Sequence, residues 1–496
     1  MNSAAEEDSL ACAALGWSFP DACVGSIDRD RSAFYYNLVD VSSLASNSSA
    51  GAKFHLGNMH LEALGEIKNR DEEKAFRFHK ISSTGGCLPA LCALGVYYWQ
   101  GVHVTKNISQ ALIFFELAAK SGYFEAQKYL GCCYENGEGV AKNIYEAVRL
   151  YELAADQGDF IAHFKLSVCK EETNGVDTEL MDPKTRYKLS ADNGYSIAQS
   201  KLAKCYMEGD GIVRNKSEAI RLYKLAADQG CPEAQYSLGV CYLKGEGLSK
   251  DKMEAFRMYT LAADQGYAKA QTSLGVCHKN GMGVKKDEVE AIRLYMLAAK
   301  QGYANAQFKL GYCYHYGEGV GLDELEAVRM YKLAADQGYA KAQFNVANCY
   351  DHGVGVKKDQ TEAIRWYKLA ADLLHPAAQY ELGYCYENGV GVPKDKREAF
   401  RLYQLAADQG NAPAQYNLGC CYREGEAVEK DYSEAVKMFE LAAGQGDDDA
   451  QYELGRCYEK GEGIRKDKHE AHRLFKISAS QGNRKANDAL KRKGWT

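Results

Sequence analysis

Proline is scarce in this chain, and neither sign of charge dominates it. The 496 residues include 7 prolines and 4 tryptophans, while 61 basic residues against 67 acidic ones leave a formal charge of -6. With 46% hydrophobic and 26% charged residues, the composition excludes collagen-like, mucin-like and broadly disordered proteins. The near balance of charge gives no electrostatic reason to expect a nucleic-acid partner.

Long apolar runs are missing as well. No stretch of the sequence reaches the roughly 18 uninterrupted apolar residues that a membrane-spanning helix needs. Glu6, Glu7 and Asp8 stand where a secretory signal would carry basic residues, although the short apolar run from Leu10 to Leu15 competes with that interpretation. We therefore expect a cytoplasmic protein without direct membrane insertion, with secretion as the alternative.

What the chain does contain is a repeat. A leucine, usually followed by glycine, returns after 38 residues and then every 36 residues, with valine replacing it once. A period of this size predicts one supersecondary unit stacked many times, because a single unit cannot bury its apolar face alone. These ladder residues are Leu56, Leu94, Leu130, Leu166, Leu202, Leu238, Leu274, Leu310, Val346, Leu382, Leu418 and Leu454.

Each unit contains the pattern of two helices. In the copy from Ala378 to Gly410, apolar residues recur at helical spacing until Gly389, which predicts a first helix with a glycine stop. Asp395 and Glu398 then predict a capping box, in which each side chain satisfies a free backbone N–H of the second helix. The residues predicted to be buried in that helix are Ala399, Leu402, Tyr403, Leu405 and Ala406.

The motifs A-x-x-x-L-G-x-x-Y and E-A-x-x-x-Y-x-x-A-A, clear from Ala126 to Ala155 and in most later copies, resemble the Sel-one-like repeat family, a relative of the tetratricopeptide repeat. The resemblance covers residues 51–482. It implies an all-α fold, a right-handed α/α superhelical solenoid of about twelve two-helix repeats of 36 residues. Such families supply scaffolds and adaptors, including quality-control subunits, chitin synthase activators and secreted bacterial effectors, and no enzyme chemistry accompanies the repeat.

Several segments depart from the repeat. Residues 1–50 are interpreted as a degenerate repeat or N-terminal cap with a Ser-rich link, and residues 483–496 as a C-terminal capping helix. Residues 159–194 lose the G-x-G connection, and Asp182-Pro183 predicts a shorter second helix there. Residues 372–376 lose the usual D-Q-G stop. These two segments are the expected irregular joints.

The 17 cysteines do not indicate catalysis or metal binding. Ten of them follow the ladder residue by three positions, one in each repeat, which is typical of small buried hydrophobes. Cysteines of successive repeats are too far apart for disulfides, since packed helices lie about 8–10 Å apart. The repeated glycines follow a helix, unlike those of a phosphate-binding loop. We expect no cofactor and no metal site; a hydrolase with an unrecognised His/Cys site is the alternative from another functional class.

The candidate partner site is the inner groove of the solenoid. By analogy with tetratricopeptide solenoids, residues two before and two after the ladder residue point into it, and later repeats are rich in aromatics there. Packing between first helices is the competing explanation for the earlier row. A protein or peptide partner is the expected ligand, for a scaffold or alternatively a secreted effector. The predicted contacts are Phe308, Tyr312, Phe344, Tyr380, Tyr384, Tyr416, Tyr452, Arg423 and Arg456, with Glu387 as a further flanking charge.

Overall fold

The computed structural model describes residues 49–62, 70–172 and 183–495. Within these ranges the chain forms 25 α-helices and no strand. The first 24 helices follow one another as twelve pairs, which confirms the all-α fold of two-helix repeats. All but the last two residues of the predicted N-terminal segment 1–50 lie outside the described residues.

The helices are α1 (Ala50–Glu62), α2 (Glu72–Thr84), α3 (Leu88–Gln100), α4 (Ile108–Lys120), α5 (Phe124–Asn136), α6 (Ile144–Ala155), α7 (Phe160–Glu172), α8 (Pro183–Asp192), α9 (Ser196–Glu208), α10 (Lys216–Asp228), α11 (Pro232–Lys244), α12 (Lys252–Asp264), α13 (Ala268–Asn280), α14 (Glu288–Lys300), α15 (Ala304–Tyr316), α16 (Glu324–Ala335), α17 (Ala340–His352), α18 (Gln360–Asp372), α19 (Pro376–Asn388), α20 (Lys396–Asp408), α21 (Ala412–Glu424), α22 (Tyr432–Gly444), α23 (Asp448–Lys460), α24 (Lys468–Ser480) and α25 (Arg484–Lys493). The chain divides into two compact units, one ending at Gln265 and the other beginning at Gly266.

The Leu-Gly motif reflects the packing of the two helices in a pair. The leucine is buried, and the glycine leaves room for an aromatic ring of the second helix. A Cβ atom on Gly383 would lie 2.8 Å from the ring of Tyr403, closer than carbon atoms pack. The same contact joins Gly131 to Tyr151, Gly239 to Tyr259, Gly275 to Tyr295, Gly311 to Tyr331, Gly419 to Phe439 and Gly455 to Phe475.

One of the five second-helix residues predicted to be buried is not. Ala399, Leu402, Tyr403 and Ala406 are buried, but Leu405 is only half-buried. Ala407 is buried instead, because it lies four residues beyond Tyr403, on the helix face that meets the neighbouring first helix.

Only half of the predicted capping box is correct. The carboxylate of Asp395 accepts the backbone N–H of Glu398 at 3.0 Å, and its counterparts in eight other repeats do the same at 2.9–3.2 Å. The Glu398 side chain does not return to the cap; it binds Arg401, one turn further on, at 2.6 Å. The N–H of Asp395 donates instead to the carbonyl of Tyr386 at 2.9 Å. The cap thus ties the second helix to the end of the first.

Glutamines thirty residues apart connect the two helices of a pair, and the first of them also binds the preceding pair. The side-chain amide of Gln409 donates to Oε1 of Gln379 at 2.8 Å, and seven equivalent bonds measure 2.7–2.9 Å. The Gln379 amide donates in turn to the carbonyl of Ala371 in the preceding repeat. Each buried glutamine therefore fixes its own pair against the one before it.

The two irregular segments have different structures. In the first, the described part of the second helix, α8, covers Pro183–Asp192, and the predicted cap Asp182 lies with residues 173–182 outside the described residues. In the second, Leu374 adopts the left-handed conformation (φ 59°) that glycine takes at Gly410. His375 then caps α19 by accepting the N–H of Ala378 at 3.3 Å. A leucine and a histidine thus replace the missing glycine stop.

Candidate functional site

The earlier aromatic row packs within its own repeats. These rings are half-buried, and each lies against the buried ring of the second helix in its pair. The row therefore supports the fold and presents only part of its surface. The ring-centroid distances are 5.8 Å for Phe308–Tyr331, 6.0 Å for Phe344–Tyr367, 5.9 Å for Tyr380–Tyr403, 6.1 Å for Tyr416–Phe439 and 5.6 Å for Tyr452–Phe475.

The two predicted tyrosines of the later row are more exposed. Tyr312 is 36% and Tyr384 47% exposed, although they occupy the same position in their repeats. The ammonium group of Lys279, from the preceding repeat, lies 5.1 Å from the ring centroid of Tyr312. Tyr316 also contacts that ring, at a centroid distance of 4.4 Å. Tyr384 is therefore the predicted contact with the most surface free for a partner.

The two predicted arginines are engaged within the protein. Arg423 forms an ion pair with Glu453 at 2.5 Å, and Arg456 approaches the same carboxylate oxygen at 2.9 Å. Arg423 also pairs with Glu424 at 2.7 Å. Glu453 itself is only 5% exposed. Arg423 therefore bridges two successive repeats, whereas Arg456 pairs with a residue of its own helix, and both arginines have partners within the protein.

Arg423 and Glu453 illustrate a recurring inter-repeat pair. One member lies five residues after the ladder residue, and the other lies just before the ladder residue of the next repeat. In an earlier pair of repeats, Glu135 and Lys165 occupy these positions and form an ion pair at 3.2 Å. In both cases opposite charges bridge neighbouring first helices, whereas Lys279 and Lys309 place two cations at the same two positions.

In the repeats of α17 and α19, the two members of this inter-repeat pair are Asp351 and Glu381, and both are carboxylates. Burial, followed by the charge of Asp351, raises the pKa of the half-buried Glu381 carboxyl. Burial and the charges of Glu381 and Asp351 also raise the pKa of Tyr367, whose hydroxyl donates to Asn348 at 2.6 Å. Across the part of the chain that the structure describes, no cation lies within 4.0 Å of either carboxylate.

Two tyrosines and a third carboxylate complete this surface. Tyr380, Tyr384 and Glu387 follow one another at four and three residues on α19 and therefore share a face of that helix. Burial raises the pKa of Tyr380, and the charges of Glu381, Tyr384 and Glu387 add to that effect. Glu387 accepts the hydroxyl of Tyr403 at 2.7 Å. We call this surface of α17 and α19 the acidic surface; it comprises Asp351, Tyr380, Glu381, Tyr384 and Glu387.

Sequence reasoning found part of this surface. Tyr380, Tyr384 and Glu387 were among the predicted contacts, but Asp351 and Glu381 were not. Their thirty-residue spacing, compared with the pair of Glu135 and Lys165, is a signal in the sequence that could have identified them. The remaining predicted contacts belong to other repeats, so the structure does not gather all of them into one site.

The repeated cysteines are packing residues. Nine of the ten are buried and Cys421 is half-buried. Burial raises the pKa of Cys277 and of Cys457 to about 11, and that of Cys133 to about 12. A catalytic cysteine needs the opposite shift, because the thiolate is the nucleophile. These thiols therefore give no support to a His/Cys hydrolase.

The described residues contain neither a clustered set of metal ligands nor a membrane-spanning helix. Among them, no group of three or more His, Cys, Asp or Glu side chains is arranged to hold a metal ion. None of the described helices is long and apolar enough to cross a membrane.

Comparisons with known proteins agree with this architecture. The Sel1 repeat model matches eleven segments: 50–87, 88–123, 124–159, 196–231, 232–267, 268–303, 304–339, 340–373, 376–411, 412–447 and 448–483. Among the twelve described helix pairs, only the irregular pair α7 and α8 falls outside these matches, as does the final helix α25.

Solved structures that are similar to the chain include two repeat proteins. A protective antigen of uropathogenic Escherichia coli strains that displays an SLR fold is 28% identical, with a TM-score of 0.57, over 92% of this chain and 91% of that one. A Sel1 repeat protein from Oxalobacter formigenes is 33% identical, with a TM-score of 0.47, over 62% of this chain and 89% of that one. No curated protein sequence matches the chain significantly.

Proposed function

Because the chain belongs to the Sel1 repeat family, we propose that it is a non-catalytic cytoplasmic scaffold or adaptor. It binds a peptide or a partner domain on the groove-lining first helices of the later repeats. The observation that carries the proposal is Tyr384, which leaves 47% of its surface exposed beside the half-buried Tyr380. Tyrosines provide a large contact area at low cost in conformational entropy and are enriched among residues that dominate binding.

Site-specific photo-crosslinking tests this function. A photoreactive phenylalanine analogue replaces Tyr384 in the full chain, and the products formed in the native cell are identified by mass spectrometry. The control carries the analogue at Lys394, which is exposed in the connection between α19 and α20. We expect a defined protein product from position 384 and none from position 394. Equal labelling at both positions, or none at 384, would contradict the proposal.

A secreted effector is the second candidate, because one similar structure is that of a protective antigen of Escherichia coli strains. The two candidates differ in compartment and processing. Mass spectrometry of the intact N-terminus from the native source distinguishes them. Loss of a segment from Met1 to about Val24 supports a secreted effector, whereas retention of that segment supports a cytoplasmic scaffold protein.

A further inference from the structure

We propose that the acidic surface of α17 and α19 binds a lysine or arginine side chain of an extended partner segment. This inference rests on the proposed function and specifies the chemistry of the partner. Two independent comparisons within the chain support it, because the repeats place equivalent positions in equivalent surroundings.

The first comparison concerns the inter-repeat pair. Glu135 has Lys165 at 3.2 Å, and Glu453 has Arg423 at 2.5 Å. In the repeats of α17 and α19 the corresponding residues are Asp351 and Glu381, so the cation that balances the carboxylate elsewhere is missing. Placing a cation between two carboxylates removes their repulsion and adds charge-assisted hydrogen bonds.

The second comparison concerns the exposed tyrosine. Tyr312 has the ammonium group of Lys279 over its ring at 5.1 Å. The equivalent of Tyr312 is Tyr384, and the equivalent of Lys279 is Asp351. A carboxylate therefore stands where the chain elsewhere provides the cation for the aromatic ring. A basic side chain from a partner would meet the ring and the carboxylates together.

Cationic side chains beside the acidic surface have partners within the chain. Lys396, whose charge interacts with that of Glu387, pairs with Glu426 at 2.6 Å. His352 interacts electrostatically with Glu381, and its Nδ1 donates to the carbonyl of Asn348 at 3.0 Å. The charge of the acidic surface is therefore available to an external group, and a cationic side chain complements it better than a neutral or acidic one.

Fluorescence anisotropy with the full chain tests the proposal. The probe is a fluorescein-labelled Gly/Ser nonapeptide that carries two arginines, and the comparison peptides carry citrulline or glutamate in their place. We expect the arginine peptide to bind at least about tenfold more tightly than the citrulline peptide, equivalent to about 1.4 kcal/mol, and the glutamate peptide to show no binding. Equal affinity of the arginine and citrulline peptides would overturn the proposal.

Charge-matched variants test where the peptide binds. The triple variant Asp351→Asn, Glu381→Gln, Glu387→Gln keeps the shape of the surface and should lose binding at least tenfold. The control triple Asp336→Asn, Asp372→Asn, Asp408→Asn removes the same charge from exposed ends of second helices and should bind like the wild type. Equal loss in both triples would show a response to net charge alone and would overturn the assignment.

Two further measurements distinguish this proposal from a metal-ion site and from a failure of the proposed function. Titration calorimetry with calcium chloride should show no heat that depends on the three carboxylates; such heat would make the surface a cation site and overturn the proposal. The crosslink from position 384 requires no basic residue in the partner. A crosslinked partner combined with no preference for the arginine peptide would refute this inference alone, whereas the absence of a crosslink would refute the proposed function.

Discussion

Leu373 occupies the position from which a glutamine would donate a hydrogen bond to Gln343. In the next repeat Gln409 makes that bond to Gln379 at 2.8 Å. The amide group of Gln343 still donates to the carbonyl of Ala335 at 3.1 Å, but its buried Oε1 has no hydrogen-bond partner among the described residues. A buried acceptor without a donor costs about 1–3 kcal/mol, so this joint is a weak point among the repeats.

Restoring the consensus should therefore strengthen the joint. We expect Leu373→Gln to increase the free energy of unfolding by about 1 kcal/mol, because it supplies the missing donor. Leu374→Gly should add about 1 kcal/mol by removing the left-handed strain of a leucine. Urea denaturation, monitored by circular dichroism, measures the free energy of unfolding of both variants. The reverse variant Gln409→Leu should destabilise a regular joint by about 1–3 kcal/mol; an unchanged midpoint in that variant would refute the role of the glutamine bonds.

Glu381 should lower stability at neutral pH in the absence of a partner. Its carboxyl has a raised pKa in the folded protein, so folding is disfavoured once pH rises above the ordinary value of 4.5. Glu381→Lys replaces the like-charge pair by the arrangement of Glu135 and Lys165. We expect it to increase the free energy of unfolding by about 0.5–1 kcal/mol at pH 7. The gain should shrink as pH falls through the raised pKa of Glu381 towards 4.5, and a gain independent of pH would contradict its electrostatic origin.

His79 should make the first repeats sensitive to acid. It occupies the position of the buried second-helix tyrosine, and burial lowers its pKa from 6.5 to about 3. Below pH 6.5 the unfolded chain binds a proton at His79, whereas the folded protein keeps the imidazole neutral. The free energy of unfolding is therefore unaffected by His79 above pH 6.5 and falls by about 1.4 kcal/mol for each pH unit below it. Hydrogen exchange, corrected for its intrinsic rate, should show α2 losing protection between pH 6.5 and 4.5. The control helix α12 should lose much less; equal losses would contradict the role of His79.

All 17 thiols should be free. The repeated cysteines are single in each repeat and packed in the core, where Cys277 and Cys313 have pKa values raised by burial to about 11. We expect a thiol reagent to react slowly with the native protein and to count 17 thiols under denaturing, non-reducing conditions. A deficit of several thiols would show regular disulfides and contradict the cytoplasmic assignment.

The sequence predicted the helices well because every repeat supplies the same local signals. Asp395 marks a cap, Gly389 marks a stop, and the ladder residue Leu382 marks the buried face. The hydrogen-bond partner of Glu398 could not be predicted from the sequence, because the guanidinium of Arg401 and the backbone N–H of the cap residue can both bind its carboxylate. The difference lies in packing: the cap N–H already has a backbone carbonyl from the first helix, so the glutamate is free to bind the arginine.

The candidate site was harder to predict because its chemistry lies between repeats. Tyr384 is visible as an aromatic at a groove position, but its exposure depends on neighbouring residues. Arg423 looked like a surface charge until the structure placed it against Glu453. Asp351 and Glu381 become significant only when their repeat positions are compared with those of an ion pair thirty residues apart.

The most direct test of a partner surface on the first helices compares Tyr384→Ala with Tyr416→Ala. Melting temperature and capture of the partner identified by crosslinking are measured for both variants. Tyr384 is exposed, whereas Tyr416 packs against Phe439 at 6.1 Å and should lose about 2 kcal/mol of stability on truncation. We predict that Tyr384→Ala loses capture and keeps the melting temperature of the wild type, while Tyr416→Ala melts lower. Retained capture in Tyr384→Ala together with a lowered melting temperature would contradict the account and assign this ring to the core.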